Sequence, residues 1–192
     1  MVRARFYSDG TPGLGSGLLC QQLQPGDTLA IRVRSNPGFH QPSTAMPLIL
    51  IGNGSGIAGL RAHIRQRAFS DASAPVWLIY GERHAELDRP FGDELANWLN
   101  DGDISRCDFA FSRSSAPWPQ NISGTPHCGY VQDVLNYQSE ELRQWINRGA
   151  ALMLCGSLNG MGQGVDAALR RILGDDVVDQ LADDGRYLRD LY

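Results

Sequence analysis

The sequence has no apolar run approaching the roughly 20 residues of a membrane span, and its first residues lack the apolar stretch of a secretory leader. Its four cysteines, Cys20, Cys107, Cys128 and Cys155, stand apart with no C-x-x-C pair, so neither zinc-ligand spacing nor a disulfide framework is offered. Basic residues do not outnumber acidic ones: 17 Lys plus Arg against 21 Asp plus Glu gives a formal net charge of -4, which provides no global attraction to nucleic acid or an anionic membrane. Repeats and low-complexity tracts are missing as well. The expectation from these absences is a cytoplasmic chain without a metal site, a nucleic-acid partner or direct insertion into a membrane.

What is present suits a folded core, since 42% of the 192 residues are hydrophobic and 20% are charged. The most informative stretch is LILIGNGSGIAGLRAHIRQRA, residues 48 to 68. Leu48 to Ile51 is continuously apolar, as in a strand buried on both faces, and Ile57, Leu60 and Ile64 then recur at helical spacing. Gly52, Gly54, Ser55 and Gly56 lie between the two. Glycines there let the backbone bend sharply and let a ligand approach, and the free N–H groups that open the helix favour an anion such as phosphate. A plain strand-to-helix turn is the alternative. Gly54, Gly56 and Gly59 satisfy G-x-G-x-x-G, but the next candidate strand runs into Gly81, Glu82 and Arg83 instead of the ribose-binding carboxylate expected roughly 20 residues after the glycines.

From residue 47 onward, short apolar runs alternate with amphipathic segments, the pattern of a parallel sheet covered by helices. Strands are expected at 47–51, 76–80, 107–111 and 150–155, with a final extended piece at 186–192. Phe91, Leu95, Trp98 and Leu99 mark a helix with Asp88 as N-cap and Pro90 in its first turn. A second helix runs from Ser139 to Arg148, acidic at its start and stopped by Gly149, and Val165, Ala168, Leu169, Ile172 and Leu173 define a third. TLAIRVRS, 28–35, alternates apolar and basic residues like a half-buried antiparallel strand, and FHQPSTAMP, 39–47, reads as a linker. The expected boundary therefore divides a short β segment, 1–46, from an α/β domain, 47–192. The loop 113–129 is long enough to suspect function.

Eight segments stand in a telling order: GLGSGLL (13–19), GFHQP (38–42), PLILIGNGSGIAGLRAHIRQR (47–67), LIYGERH (78–84), FAFSR (109–113), GYVQD (129–133), MLCGSLNGM (153–161) and RYLRDLY (186–192). In this order and spacing they resemble the ferredoxin-NADP reductase superfamily over nearly the whole chain. The likeness is greatest to the NADPH-binding part of diflavin reductases of the sulfite reductase flavoprotein and cytochrome P450 reductase kind. The resemblance implies an α/β fold with a parallel sheet of about five strands, helices on both faces and a Rossmann-like NADP site, preceded by a short remnant of an antiparallel β flavin-binding barrel.

Residue by residue, the resemblance implies that Gly52, Gly54, Ser55, Gly56 and Ile57 form the turn under the dinucleotide diphosphate. Asn53 and Gly59 stand where the family has prolines, so a looser turn is expected. Ser112 and Arg113 match the pair that holds the adenosine 2′-phosphate, a task suited to the planar guanidinium fork. Tyr130 and Gln132 match residues of the adenosine end, with Cys128 at the family's lysine position and His127 as a partial substitute. Cys155 and Gly156 match a pair beside the nicotinamide, Ser157 stands in place of the family's Asp, and Met161 is a further cofactor contact. Asp190 matches an acid used in hydride transfer, and Tyr192 the aromatic that covers the flavin. On the residues alone, Arg113 could equally be an ordinary surface cation, Tyr130 a helix-start aromatic, Cys155 a small core residue and Tyr192 part of a frayed end.

Gly15 and Ser16 resemble the flavin domain's FAD-diphosphate turn, whereas RFYS at 5–8 only imitates an earlier FAD-binding strand, with four residues between Ser8 and Gly13. The chain thus reads as the last strands of a flavin domain followed by an NADP(H) domain. The activity implied is hydride transfer from NADPH to FAD, with electrons passed to an acceptor protein or a fused flavodoxin-like domain. The alternative is an NADP-binding module without activity of its own.

Overall fold

The computed structural model describes residues 1–70, 74–120 and 122–192, and the chain divides into two compact units, Met1–Asn36 and Pro37–Tyr192. The smaller unit is built from turns. Phe6 bridges Pro12 in antiparallel fashion, a short helix α1, Leu14–Gly17, continues into a helical turn at Leu18–Gln22, and Ser16 Oγ accepts the Arg5 N–H at 3.0 Å. The strand expected at 28–35 is not formed. Ile31 and Val33 are 77% and 87% exposed, because a strand is stabilised through a partner's ladder and this unit pairs no other strand with the segment.

The larger unit holds one six-stranded, all-parallel sheet in the order β4-β3-β2-β1-β5-β6. Its strands are β1 Leu48–Asn53, β2 Val76–Glu82, β3 Arg106–Phe111, β4 Thr125–Cys128, β5 Ala151–Gly156 and β6 Tyr187–Leu191. Six strands replace the expected five or so. The addition is β4, inside what read as the loop 113–129, and its four residues are too few and too polar to declare a strand before β3 offers them an edge. Asn121 of that loop lies outside the described residues.

Between the strands run α2 Ile57–Ala68, α3 Gly92–Asp101, α4 Val131–Tyr137, α5 Ser139–Asn147, α6 Gln163–Leu173 and α7 Asp175–Asp183. The continuous apolar runs follow from burial on both faces. Ile49, Ile51, Trp77, Ile79, Leu152 and Leu154 enter one core layer with residues of α4 to α7, such as Leu142 and Val165. Leu48, Leu50, Leu78 and Met153 enter the other with Ile57, Leu60, Leu95 and Phe39. Each such side chain contributes roughly 1.5–3 kcal/mol when fully buried. The helix expected to start at Asp88 starts later. Phe91, at φ +59, is its N-cap, its carbonyl accepts the Leu95 N–H, and Asp88 instead accepts the His84 N–H at 3.1 Å. Pro90 disfavours helical geometry at Arg89, so the first helical turn forms beyond it.

One buried charge ties the β4 edge to the sheet. Asp108 is fully buried in β3, where it accepts hydrogen bonds from Trp77 Nε1, Arg106 Nε and His127 Nε2, each at 2.7 Å. Burial alone would raise the Asp108 carboxyl. The bonds from Arg106, His127 and Trp77 outweigh it and hold the group below the ordinary carboxylate value. Asp108→Asn turns one acceptor towards these donors into another donor, and is expected to cost about 3 kcal/mol in urea denaturation, as when a buried pair is broken. Because the folded carboxyl titrates lower than the unfolded one, its stabilisation is complete above the unfolded value of about 3.9 and is lost as the pH falls through the folded one. The variant is expected to lack that acid-side loss.

Candidate dinucleotide crevice

Strand order reverses between β1 and β5: the chain proceeds from β1 outward through β2, β3 and β4, then returns to place β5 and β6 on β1's other side. Crevices beyond the carboxyl ends of strands at such a reversal are where open α/β sheets take ligands. The loops there are the turn after β1, a short helical turn at Gly54–Gly56 that leads into α2, and the turn after β5, an irregular helical stretch at Leu158–Gly162 that leads into α6. The topology therefore brings together Gly52 to Ile57 and Cys155 to Met161, which are far apart in sequence.

The glycines of the first loop have different reasons. A Cβ on Gly56 would lie 2.0 Å from the Cys155 carbonyl oxygen, and one on Gly52 would lie 2.5 Å from the same atom. These two let β5 approach the turn. Gly54 faces open space and has φ +55, a conformation that favours glycine. Neither the turn nor the start of α2 has a side-chain cap or an acidic residue; the Ile57 N–H donates to the Gly54 carbonyl, and the N–H groups at the head of the turn are left to solvent or an anion. Tyr80 from β2 donates to the Gly54 carbonyl at 2.7 Å and also contacts the carboxylate of Glu82, which is 7% exposed.

Asn53 does not leave the turn loose. Its Nδ2 donates to Ser157 Oγ at 3.1 Å, and its Oδ1 accepts the Ser157 N–H at 3.0 Å. Tyr192 also reaches this loop: its hydroxyl and that of Ser55 are 2.7 Å apart, its N–H donates to Gly156 O, and its carbonyl accepts the Leu158 N–H, both at 3.0 Å. The chain end is thus ordered over the crevice by β6, which pairs Cys155 with Asp190. Cys155 Sγ donates to Asp190 Oδ2 at 3.9 Å. Burial, and then the neighbouring Asp190 carboxylate, push the Cys155 thiol up to about 12, so it is a neutral donor at physiological pH and no thiolate. Met161 is buried beside Gly156, where a Cβ would meet its Cε at 2.9 Å.

The remaining expected residues lie at the ends of β3 and β4. The Ser112 N–H donates to the Glu82 carbonyl at 3.0 Å and the Arg113 N–H to the Arg83 carbonyl at 2.8 Å, which pins this loop to the end of β2. Arg113 itself is exposed, and its guanidinium has no acidic partner among the described residues. Tyr130 is 60% exposed and precedes α4, with its N–H bound to Asp133 Oδ2 at 2.8 Å. The Gln132 amide packs on Gly164, where a Cβ would lie 2.9 Å from it, and its buried Oε1 has no hydrogen-bond partner among the described residues. His127 is no solvated substitute for a lysine, because its Nε2 is engaged by Asp108. Every one of the 17 basic residues is arginine, so side-chain cations for phosphate must come from guanidinium groups. Gly15 and Ser16 belong to the other unit, where the Ser16 hydroxyl is bound to Arg5. Asn53, Ser157, Tyr80 and Glu82 were not singled out as site residues by sequence reasoning; the only signal was that Asn53 and Ser157 depart from the family pattern.

Residues 50–167 match the family described as the oxidoreductase NAD-binding domain. The chain belongs to this family. Among curated proteins, 98% of the chain aligns at 33% identity with the sulfite reductase [NADPH] flavoprotein alpha-component of Neisseria meningitidis serogroup C (strain 053442), covering 32% of that protein. All of the chain aligns with the proteins of the same name from Bacillus subtilis (strain 168), at 33% identity, and Mannheimia succiniciproducens, at 32%, again covering 32% of each. The chain thus spans about a third of the length of the curated relatives it matches. Among the described residues, no helix is long and apolar enough to cross a membrane.

Proposed function

We propose that this chain is the NADP(H)-binding part of a cytoplasmic flavin-dependent oxidoreductase, which takes hydride from NADPH to FAD and passes electrons to an acceptor protein or a fused flavodoxin-like domain. The observation that carries the reading is the uncapped glycine turn at the sheet's reversal point, joined to an exposed Arg113 two strands away that has no acidic partner among the described residues. The printed name of the relatives, sulfite reductase [NADPH] flavoprotein, supports the nucleotide and the flavin. In this reading residues 47–192 form the NADP(H) domain, and residues 1–46 are the end of an FAD-binding β domain in which Gly15 and Ser16 serve the FAD diphosphate.

The residues fit the nucleotide. The N–H groups of Gly54 and Ser55 and the Ser55 hydroxyl would hold the diphosphate with uncharged donors, with Gly56 and Ile57 shaping the turn, and Ser112, Arg113, Tyr130 and Gln132 would take the adenosine 2′-phosphate end. FAD would supply the hydride acceptor when bound. Cys155 keeps its proton on Sγ and, with Gly156 and Met161, bounds the nicotinamide end, while Asp190 orients that thiol. Tyr192 shields the crevice until the nucleotide displaces its ring. Calorimetry of the purified chain is the test: NADP+ is expected to bind and NAD+ to bind at least about tenfold more weakly, by the value of a charge-assisted phosphate contact. Equal affinity, or none for either, overturns the reading. FAD reduction by NADPH in a longer protein that carries the flavin domain separates the oxidoreductase from a binding module without activity.

A further inference from the structure

The Asn53–Ser157 contact spans the floor of the crevice, between residues 104 apart in sequence. Each lies just beyond the last ladder pair of β1 with β5, Gly52 with Cys155. The fit is close: a Cβ on Gly156 would stand 2.2 Å from Asn53 Oδ1, so glycine at 156 and the amide at 53 occupy complementary space. The two lips are otherwise glycine-rich, with Gly52, Gly54, Gly56 and Gly59 on one side and Gly156, Gly160 and Gly162 on the other. Segments of that composition have many conformations to lose when a ligand orders them. A proline ring is no substitute at position 53, because its φ of -143° lies far from the -65° that proline imposes.

We propose that Asn53 and Ser157 are positioning residues that hold the two lips of the crevice at a fixed separation, so that a single dinucleotide spans both without first having to order them. The inference rests on reading the crevice as a dinucleotide site. Asn suits the task because both its bonds use uncharged groups. A carboxylate at 53 could accept from the Ser157 N–H and hydroxyl, yet it would set a negative charge beside incoming phosphates. The Ser55–Tyr192 bond cannot serve instead, since Tyr192 is 63% exposed at the chain end and must yield to ligand.

The prediction separates a ligand that touches one lip from a ligand that touches both. In the full chain, Asn53→Ala is expected to weaken NADP+ binding about tenfold, the worth of two hydrogen bonds, while adenosine 2′,5′-bisphosphate changes less than about twofold. Ser157→Ala keeps the N–H bond to Asn53 and is expected to fall between wild type and Asn53→Ala. Asn53→Asp keeps the clamp but adds charge, and is expected to weaken both ligands together. Calorimetric affinities, with thermal melts to establish folding, provide the readout. Equal losses of both ligands in Asn53→Ala, or no loss of either, overturn the clamp; if Asn53→Ala does not fold, Ser157→Ala decides by the same comparison. Wild-type chain that binds neither ligand overturns the dinucleotide reading itself, and so the two failures are told apart.

Discussion

Gly56→Ala is expected to cost about 3 kcal/mol of folding stability, the upper end for overpacking a closed site, although it adds a single methyl group. The new Cβ would stand 2.0 Å from the Cys155 carbonyl oxygen and 2.6 Å from its carbon, and both are backbone atoms of a strand with neighbours on either side. No rotamer change relieves that overlap, so β5 must move away from β1 or the turn must lift from the sheet. Against a total stability of about 5–15 kcal/mol the loss is large. Urea denaturation followed by the fluorescence of the buried Trp77 and Trp145 measures it, and a variant within about 0.5 kcal/mol of wild type would contradict the packing argument. Gly54→Ala provides the contrast. Its Cβ meets open space, so the expected stability cost is only the roughly 1–2 kcal/mol of a left-handed residue, whereas the methyl group narrows the approach to the turn's N–H groups. One glycine admits the neighbouring strand and the other admits the ligand.

That division of labour was not legible from the residues alone. The sequence marks Gly52, Gly54 and Gly56 alike as small, and only the register of β5 on β1 reveals which of them have a carbonyl beneath. What was legible followed from local period and burial: the runs at 48–51 and 151–155 are apolar on both faces because two helical layers cover them, so they read as strands without tertiary knowledge. The polar β4 and the late start of α3 were hidden because an edge ladder with β3 sets the first and a left-handed Phe91 the second. The reading of 28–35 as a strand failed for the opposite reason: alternation gives a segment a face, but a ladder needs a partner. At the site, chemistry-bearing types at the right spacing were recognisable. The bonds joining Asn53 to Ser157 and Ser55 to Tyr192 were not, since each links groups whose pairing depends on the fold's reversal point.

Arg113→Ala is expected to lower NADP+ affinity by about tenfold to 150-fold, the range for a lost hydrogen bond to a charged group, while NAD+ affinity stays within about twofold of wild type. The asymmetry follows from where the charge stands. Arg113 follows β3, two strands from the diphosphate turn, so it can meet a phosphate on the adenosine ribose without touching the diphosphate. Its guanidinium is exposed and has no acidic partner among the described residues, so binding need not first break an ion pair. The chain has no lysine, a cysteine such as Cys128 is never a cation, and the His127 ring is held by Asp108, so a substitute has to be another arginine. Exposure makes the contact sensitive to salt, since charges near solvent are screened over about 10 Å at 0.1 M ionic strength. Raising the salt should therefore erode the wild-type preference for NADP+ over NAD+ and leave the variant, which has little preference left, nearly unchanged. Calorimetric titration of both nucleotides at two salt concentrations tests this. Equal losses for NADP+ and NAD+ would move Arg113 from the 2′-phosphate to the shared part of the ligand, and leave the choice between the nucleotides to Ser112 and Tyr130.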